Sequence, residues 1–387
     1  MNAQNWRADS NYATYDIFKA HPEYFVPDTV GNLKRDLDNN KRVKEDIFAG
    51  YFEVQARAGR ARFDLGLRYE KTKTGARVAN VRPVKEVTAA GLSVSTVEGL
   101  LYQYNNGTWS TRHGEYDDWF LSGGIKYDFT DNLVGQFAYS QSILRPDYGN
   151  LGGVVSVNDD TQIVSVPNTL LKPEHSTKYF GGLQYFLEPS GVVGISYYRL
   201  DIKDMQVTGI TVDPADVGYN SGDYPGYIFR SAQNAPGIST NEGVIFEYDQ
   251  QFSFLPGALK GFGMRASLTM IDPDGERVNM PKKAANWGFR YSHSGFDVQL
   301  TGNWQDKYRT SALSNTPTTA NNGILYHAQR ELWNLSASYK IDKNFEVMLA
   351  GRNIFNAPDV IYSNVPGRVQ QYTIYGSMWN LGIKGTF

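Results

Sequence analysis

The chain has 387 residues and a formal net charge of −2, so no overall field draws it to nucleic acid. It contains no Cys, which excludes disulfides, thiolate metal sites and Cys nucleophiles, and suits a protein that crosses an oxidising periplasm unfolded. Its 26 Tyr, 20 Phe and 7 Trp bring aromatics to 14%, yet mean hydropathy stays at −0.45, which implies strands whose two faces differ sharply.

No window approaches the ~18 consecutive apolar residues of a membrane helix, but barrel strands are only half apolar, so this carries no weight against a barrel. Residues 1–12, MNAQNWRADSNY, lack a charged n-region and an apolar h-region and form no secretory leader. A protein bound for the outer membrane needs one, so the expectation is a piece of something larger.

In chain order the pattern has period two. Ala61, Phe63, Leu65, Leu67 and Tyr69 alternate with Arg62, Asp64, Gly66, Arg68 and Glu70: one face apolar, the other nearly all charged. Trp119, Leu121, Ile125, Tyr127 and Phe129 alternate with Ser122, Gly124, Lys126 and Asp128. The same alternation returns around Phe246, Leu268, Leu300, Leu335 and Leu349. It predicts about thirteen strands, at 46–57, 60–71, 117–129, 132–142, 176–187, 192–203, 240–253, 258–271, 284–293, 295–305, 330–341, 344–355 and 372–387.

A soluble β-sandwich also alternates. Three features favour a membrane barrel instead. The strands approach the 9–11 residues that span a bilayer, aromatics gather near strand ends, and charges recur on the polar face as they would in a wet lumen. The connections agree. Short ones (58–60, 130–132, 189–191, 256–260, 293–295, 342–344) alternate with long ones (about 71–116, 143–176, 203–240, 272–283, 306–329, 356–371). Short periplasmic turns and long external loops produce this rhythm in an outer-membrane barrel. An odd strand number makes the first and last strands run the same way, so such a set cannot close on itself as an antiparallel barrel.

Several stretches resemble TonB-dependent receptors, in order and over nearly the whole chain. They are KEDIFAGYFEVQARAGRARFDLGLRYEKT (44–72), DFTDNLVGQFAYSQSILRPDYGNL (128–151), LLKPEHSTKYFGGLQYF (170–186), GISYYRLDIKDM (194–205), GRNIFNAP (351–358) and the terminal WNLGIKGTF. Each motif is degenerate; the ordered set is specific. The resemblance implies an all-β transmembrane antiparallel barrel of 22 strands, of which residues 46–387 would supply about thirteen. Residues 1–45 would be part of an external loop, and the family's signal peptide, TonB box, plug domain and first strands have no counterpart. It also implies an outer-membrane location in a Gram-negative bacterium. The partners it implies are outer-membrane lipid, the TonB energy-coupling complex, the barrel assembly machinery and a large scarce nutrient such as an oligosaccharide or a ferric siderophore.

Trp379, Leu381, Ile383 and Phe387 share one face of the last strand, which the resemblance makes the stretch that assembly machinery reads. Arg62, Arg68, Lys126, Glu247, Arg265, Arg290 and Arg352 are expected to face the lumen, packing against a plug. External aromatics are the ligand candidates, because sugars and aromatic chelators stack on flat rings: Trp6, Trp109, Tyr148, Tyr219, Tyr224, Tyr227 and Tyr308. The competing reading for each is packing of the loops on themselves.

No catalytic constellation and no cofactor motif appears, so no enzyme activity is expected. His21, His113, His175, His293 and His327 are far apart and none has a helical i, i+4 metal partner. Asp272-Pro-Asp274-Gly275 faintly resembles a calcium loop but lacks the remaining ligands, and a plain turn explains it better. Leu170-Leu-Lys-Pro-Glu174 reads as a device that fixes how a strand enters the membrane. The main alternative function is a passive porin or structural barrel. A lipase-type barrel is disfavoured because no Ser–His pair sits at matched strand positions.

Overall fold

A computed structural model describes residues 11–273, 278–312 and 323–386. Its main element is a 14-stranded sheet in which one two-residue strand, Gly153–Val154, lies off the principal path. We number the strands of that path β1 (Val43–Ala58), β2 (Ala61–Ala79), β3 (Ser110–Asp128), β4 (Leu133–Leu144), β5 (Glu174–Leu187), β6 (Gly191–Lys203) and β7 (Ile238–Gln251). They continue as β8 (Phe262–Pro273), β9 (Lys283–His293), β10 (Phe296–Gln305), β11 (Arg330–Lys340), β12 (Phe345–Arg352) and β13 (Met378–Gly385). Each pairs antiparallel with its neighbours in sequence order. All short connections therefore fall on one edge of the sheet and all long ones on the other. In the β9–β10 turn Ser294 and Gly295 both have positive φ (48° and 86°), the geometry of a two-residue hairpin turn whose twist matches its strands. Among the described residues β1 and β13 are the two ends of the path and do not pair with each other.

The register keeps one apolar face continuous across the whole sheet. Leu65, on β2, opposes Val54 and Gly123. Ile195, on β6, opposes Leu183 and Phe246, which opposes Leu268 on β8. On β10, Leu300 opposes Phe289 and Leu335. On β12, Leu349 opposes Ala337 and Leu381. This row is bordered by two belts of rings. Towards the short turns lie the Tyr127–Phe129, Phe262–Tyr291 and Phe296–Tyr339 contacts, at 5.0, 4.6 and 4.3 Å between centroids. Towards the long loops lie Tyr69–Trp119, Tyr139–Tyr179 and Trp287–Trp333. From Tyr127 to Trp119 is about 26 Å along the strand at ~3.3 Å per residue, or about 20 Å at a ~40° tilt, close to the ~25 Å apolar band of an outer-membrane barrel. Among the described residues this face is left open: Leu381 is 75% exposed and Phe48 72%. A contiguous apolar surface of this extent requires lipid or a partner.

Several boundaries depart from the sequence expectation. Before the wall the described residues form helices Asn11–Ala20 and Thr29–Asn39, and β1 starts at Val43 rather than 46. β12 stops at Arg352 rather than 355, because Asn353 turns to positive φ and ties its side chain to Ala357 N at 2.8 Å. β13 starts at Met378 rather than 372, because Val369–Thr373 pairs with Asp359–Ser363 in a loop sheet. β8 starts at Phe262 rather than 258, because Gly257–Gly261 forms a 3-10 turn.

Candidate functional site

Among the described residues the long loops build two small sheets. One small sheet runs in the order Gln206–Thr211, Ile228–Asn234, Ile163–Ser165 and Ser156–Asn158. It encloses a core of Val155, Val164, Val166, Val212, Val217 and Phe229, joined by Val78 from the outer end of β2. Burying these groups supplies the driving force that connecting segments usually lack. A second small sheet joins Tyr308–Ala312, Ile324–His327, Asp359–Ser363 and Val369–Thr373, so two separate long loops fold as one unit.

The aromatic ligand candidates divide along these lines. Tyr219, Tyr224 and Tyr227 are buried in the first loop core, which speaks for packing as their role. Tyr219 lies under the Arg112 guanidinium, 3.7 Å from its ring centroid, and burial pushes its hydroxyl up to about 12. Tyr224 donates to Val81 O at 2.9 Å, and Tyr227 to Asp159. Trp109 is half-buried beside Arg77, 5.1 Å away. Tyr308 stacks on His327, with ring centroids 4.9 Å apart and planes 5° from parallel. Tyr148 alone of the described candidates is exposed, at 55%, its hydroxyl donating to Glu45 at 3.0 Å; that bond raises its pKa. Trp6 lies outside the described residues.

Arg62, Arg68, Lys126, Glu247, Arg265, Arg290 and Arg352 all share the polar face by register. Arg62 reaches Asp128 at 3.6 Å, Arg68 reaches Glu70 at 2.6 Å and Arg290 reaches Asp249 at 3.9 Å. A concavity of about 520 Å³ on this face is lined by Glu247, Asp249, Arg265, Asn286 and Asn303 among others. Trp379, Leu381 and Ile383 lie together on the apolar face of β13; Phe387 is outside the described residues.

Two clasps escaped the sequence reading because their members are far apart in the chain. His175 Nε2 meets Asp118 Oδ1 at 2.7 Å, and its Nδ1 is 3.4 Å from Asp204. Asp359 meets both His327 Nε2 (2.7 Å) and Arg330 Nη1 (3.1 Å), tying the second loop sheet to the start of β11. Among the described residues no group of three His, Asp or Glu is arranged to hold a metal ion. Asp274 and Gly275 of the calcium-like stretch lie outside the described residues. In the Leu170–Glu174 stretch, Leu171 and Pro173 are buried and Glu174 accepts from Gln206 N at 2.7 Å just where β5 begins.

A long antiparallel meander with one continuous apolar face, ring belts at both borders and folded loops on one edge defines an outer-membrane type of β-wall. The chain belongs to the TonB dependent receptor-like β-barrel family, whose family model matches residues 2–354. No curated protein matches it. Among solved structures it is similar to the siderophore receptor PiuA from Acinetobacter baumannii, with 15% identity, a TM-score of 0.57, and coverage of 89% of this chain and 43% of that one. It is similar to the FrpB iron transporter from Neisseria meningitidis, with 14% identity, a TM-score of 0.57, and coverage of 95% and 49%. A mutant of the ferric enterobactin receptor PfeA from Pseudomonas aeruginosa, solved with enterobactin, gives 16% identity, a TM-score of 0.58, and coverage of 89% and 54%. At these identities the likeness is one of fold, and the chain spans about half the length of the structures it matches.

Proposed function

We propose that this chain is part of the wall and external loops of an outer-membrane receptor that takes up a large scarce nutrient with energy supplied through the TonB complex. The observation that carries it is the single apolar face, kept in register from β1 to β13. Facing lipid, it leaves Arg62, Arg68, Lys126, Glu247, Arg265, Arg290 and Arg352 towards a lumen, where a plug would pack. Residues 46–387 then form about thirteen of the 22 strands of a barrel, and 1–45 belong to its outer side. The open edges fit this reading. Twelve successive antiparallel pairings leave β1 and β13 running in the same direction, and an unpaired edge in hydrocarbon costs several kcal/mol per group, which supports a wall completed by further strands. Outer-membrane lipid and the barrel assembly machinery, which would engage the Trp379–Leu381–Ile383 face, are the remaining partners.

The nutrient belongs to the ferric siderophore or oligosaccharide class. Similarity to a siderophore receptor and to a ferric enterobactin receptor favours the first. Of the candidate contacts, exposed Tyr148 and half-buried Trp109 and Tyr308 are better placed than the buried Tyr219, Tyr224 and Tyr227. A passive porin fits less well, since the matching family model is that of TonB dependent receptor-like barrels. Uptake of radiolabelled ferric siderophores by cells with and without this gene tests the reading. Saturable uptake that stops when TonB is deleted or the proton gradient is collapsed is expected. Uptake that rises linearly with concentration and ignores TonB would favour the porin.

A further inference from the structure

Helix Thr29–Asn39 lays Val30, Leu33 and Leu37 against Val81, Leu100 and Tyr104 of the first long loop. Beside this contact lies a cavity of about 550 Å³, within the roughly 300–1,000 Å³ of small-molecule pockets. Its floor is Val81, Val94, Leu100, Val154, Val155 and Val157, and among the described residues the only ring that lines it is that of Tyr104. A catechol or a sugar would find no open flat partner there. An aliphatic chain would find apolar contact along the Val and Leu floor.

The charged groups of the cavity, Lys34, Asp38 and Lys41, sit on the helix or just beyond its end, and Gln103, Tyr104 and Ser156 add polar atoms from the loop side. Asp38 is fully engaged, accepting from Tyr104 Oη and from Lys34 Nζ, each at 2.5 Å. Burial and the Asp38 bond push the Tyr104 hydroxyl up to about 12, so it stays a protonated donor at neutral pH. Lys34 is likewise committed to that carboxylate. Lys41 is different. Its stem runs beside Gly153, whose φ is +129°, and a Cβ there would lie only 3.1 to 3.5 Å from Lys41 Cε, Cδ and Cγ. A side chain at 153 would displace that stem. The Lys41 ammonium has no carboxylate partner among the described residues, where neighbouring Lys34 and Lys44 each have one.

We propose that this cavity binds the aliphatic chain of a singly charged anionic amphiphile, with its head group on the Lys41 ammonium. Apolar burial holds the chain, and one charge-assisted hydrogen bond orients the head. The same chemistry is offered by a free aliphatic carboxylate and by an acyl lipid of the membrane. The proposal does not depend on the transported nutrient.

The test uses cells carrying the protein in their outer membrane. A diazirine derivative of octanoate is compared with the matching octanol probe and with a bilayer-borne acyl lipid probe. Octanoate should label residues 29–41, 81–104 or 154–157 saturably. Unlabelled carboxylates should compete about 3–4-fold better per added methylene until the cavity fills. Lys41→Gln should reduce labelling about two- to fivefold and Lys41→Arg should keep it; Lys41 is exposed, so neither change disturbs the fold. Labelling by the lipid probe alone, with the same Lys41 dependence, retains the site and assigns the lipid as occupant. Equal labelling by octanol and octanoate, indifference to Lys41→Gln, or no saturable labelling while hydrogen exchange shows helix 29–39 intact would overturn the proposal.

Discussion

Leu300 on β10 and Leu335 on β11 stand directly opposite each other, and Gly351 on β12 continues their row. One residue along, Ser336 opposes Gln299 and Ala350 on the other face. Because side chains alternate strictly along a strand, a single-residue step moves from one environment to the other. Leu335→Arg should therefore destabilise the assembled protein by about 2–4 kcal/mol if this row sits near the bilayer midplane. Ser336→Arg should cost far less. Urea titration of the protein in lipid vesicles measures both; equal losses would mean that the faces are assigned wrongly.

Orientation follows from the short and long connections lying on opposite edges. In intact cells a Cys at Lys343, in the β11–β12 turn, should resist a membrane-impermeant thiol reagent. A Cys at Lys307, just after β10, should label. The reversed pattern would invert the topology.

Tyr224 and Tyr148 are both loop tyrosines, yet one is buried and hydrogen-bonded to Val81 O and the other is exposed. Tyr224→Ala removes a core ring and should open the first loop sheet by about 3–5 kcal/mol, read as faster proteolysis within 150–235. Tyr148→Ala should leave proteolysis unchanged. If Tyr148 touches the nutrient, its loss weakens uptake without loosening the loops.

Asp359 binds two cationic partners from one position. Asp359→Ala leaves Arg330 without its carboxylate, at a cost of about 1–3 kcal/mol. The loss should appear as faster hydrogen exchange in 324–327 and 359–373, while β11 beyond Leu335 stays protected. Unchanged exchange in both segments would show that the clasp contributes nothing.

Much of the wall was legible because it obeys one rule. Ala61–Glu70 could be assigned face by face from alternation alone, and the structure pairs those residues as the alternation requires. The loops were less legible because their order comes from contacts distant in sequence. Tyr219 and Tyr224 look like free rings beside Gly and Asp, and only their meeting with Val164 and Val78 buries them. A signal was present: Ile163, Val164, Val166, Val212 and Val217 are too apolar for exposed loop. The pairing of Tyr104 with Lys34 and Asp38, and of His175 with Asp118, had no local trace, since spacings of 57 and more residues separate the members. At the wall margins, β2 and β3 run beyond the predicted ends because their outer parts pair above the aromatic belt, where alternation of polarity is no longer needed.

The central claim is that one face of this sheet meets lipid and the other meets water. Nitroxide labels placed singly at 333 to 339 on β11 of the membrane-inserted protein test it directly, by comparing accessibility to oxygen with accessibility to a water-soluble nickel chelate. Positions 333, 335, 337 and 339 should favour oxygen, and 334, 336 and 338 the chelate, with a period of two. Uniform access to the chelate at all seven positions, or an opposite phase, would contradict the account.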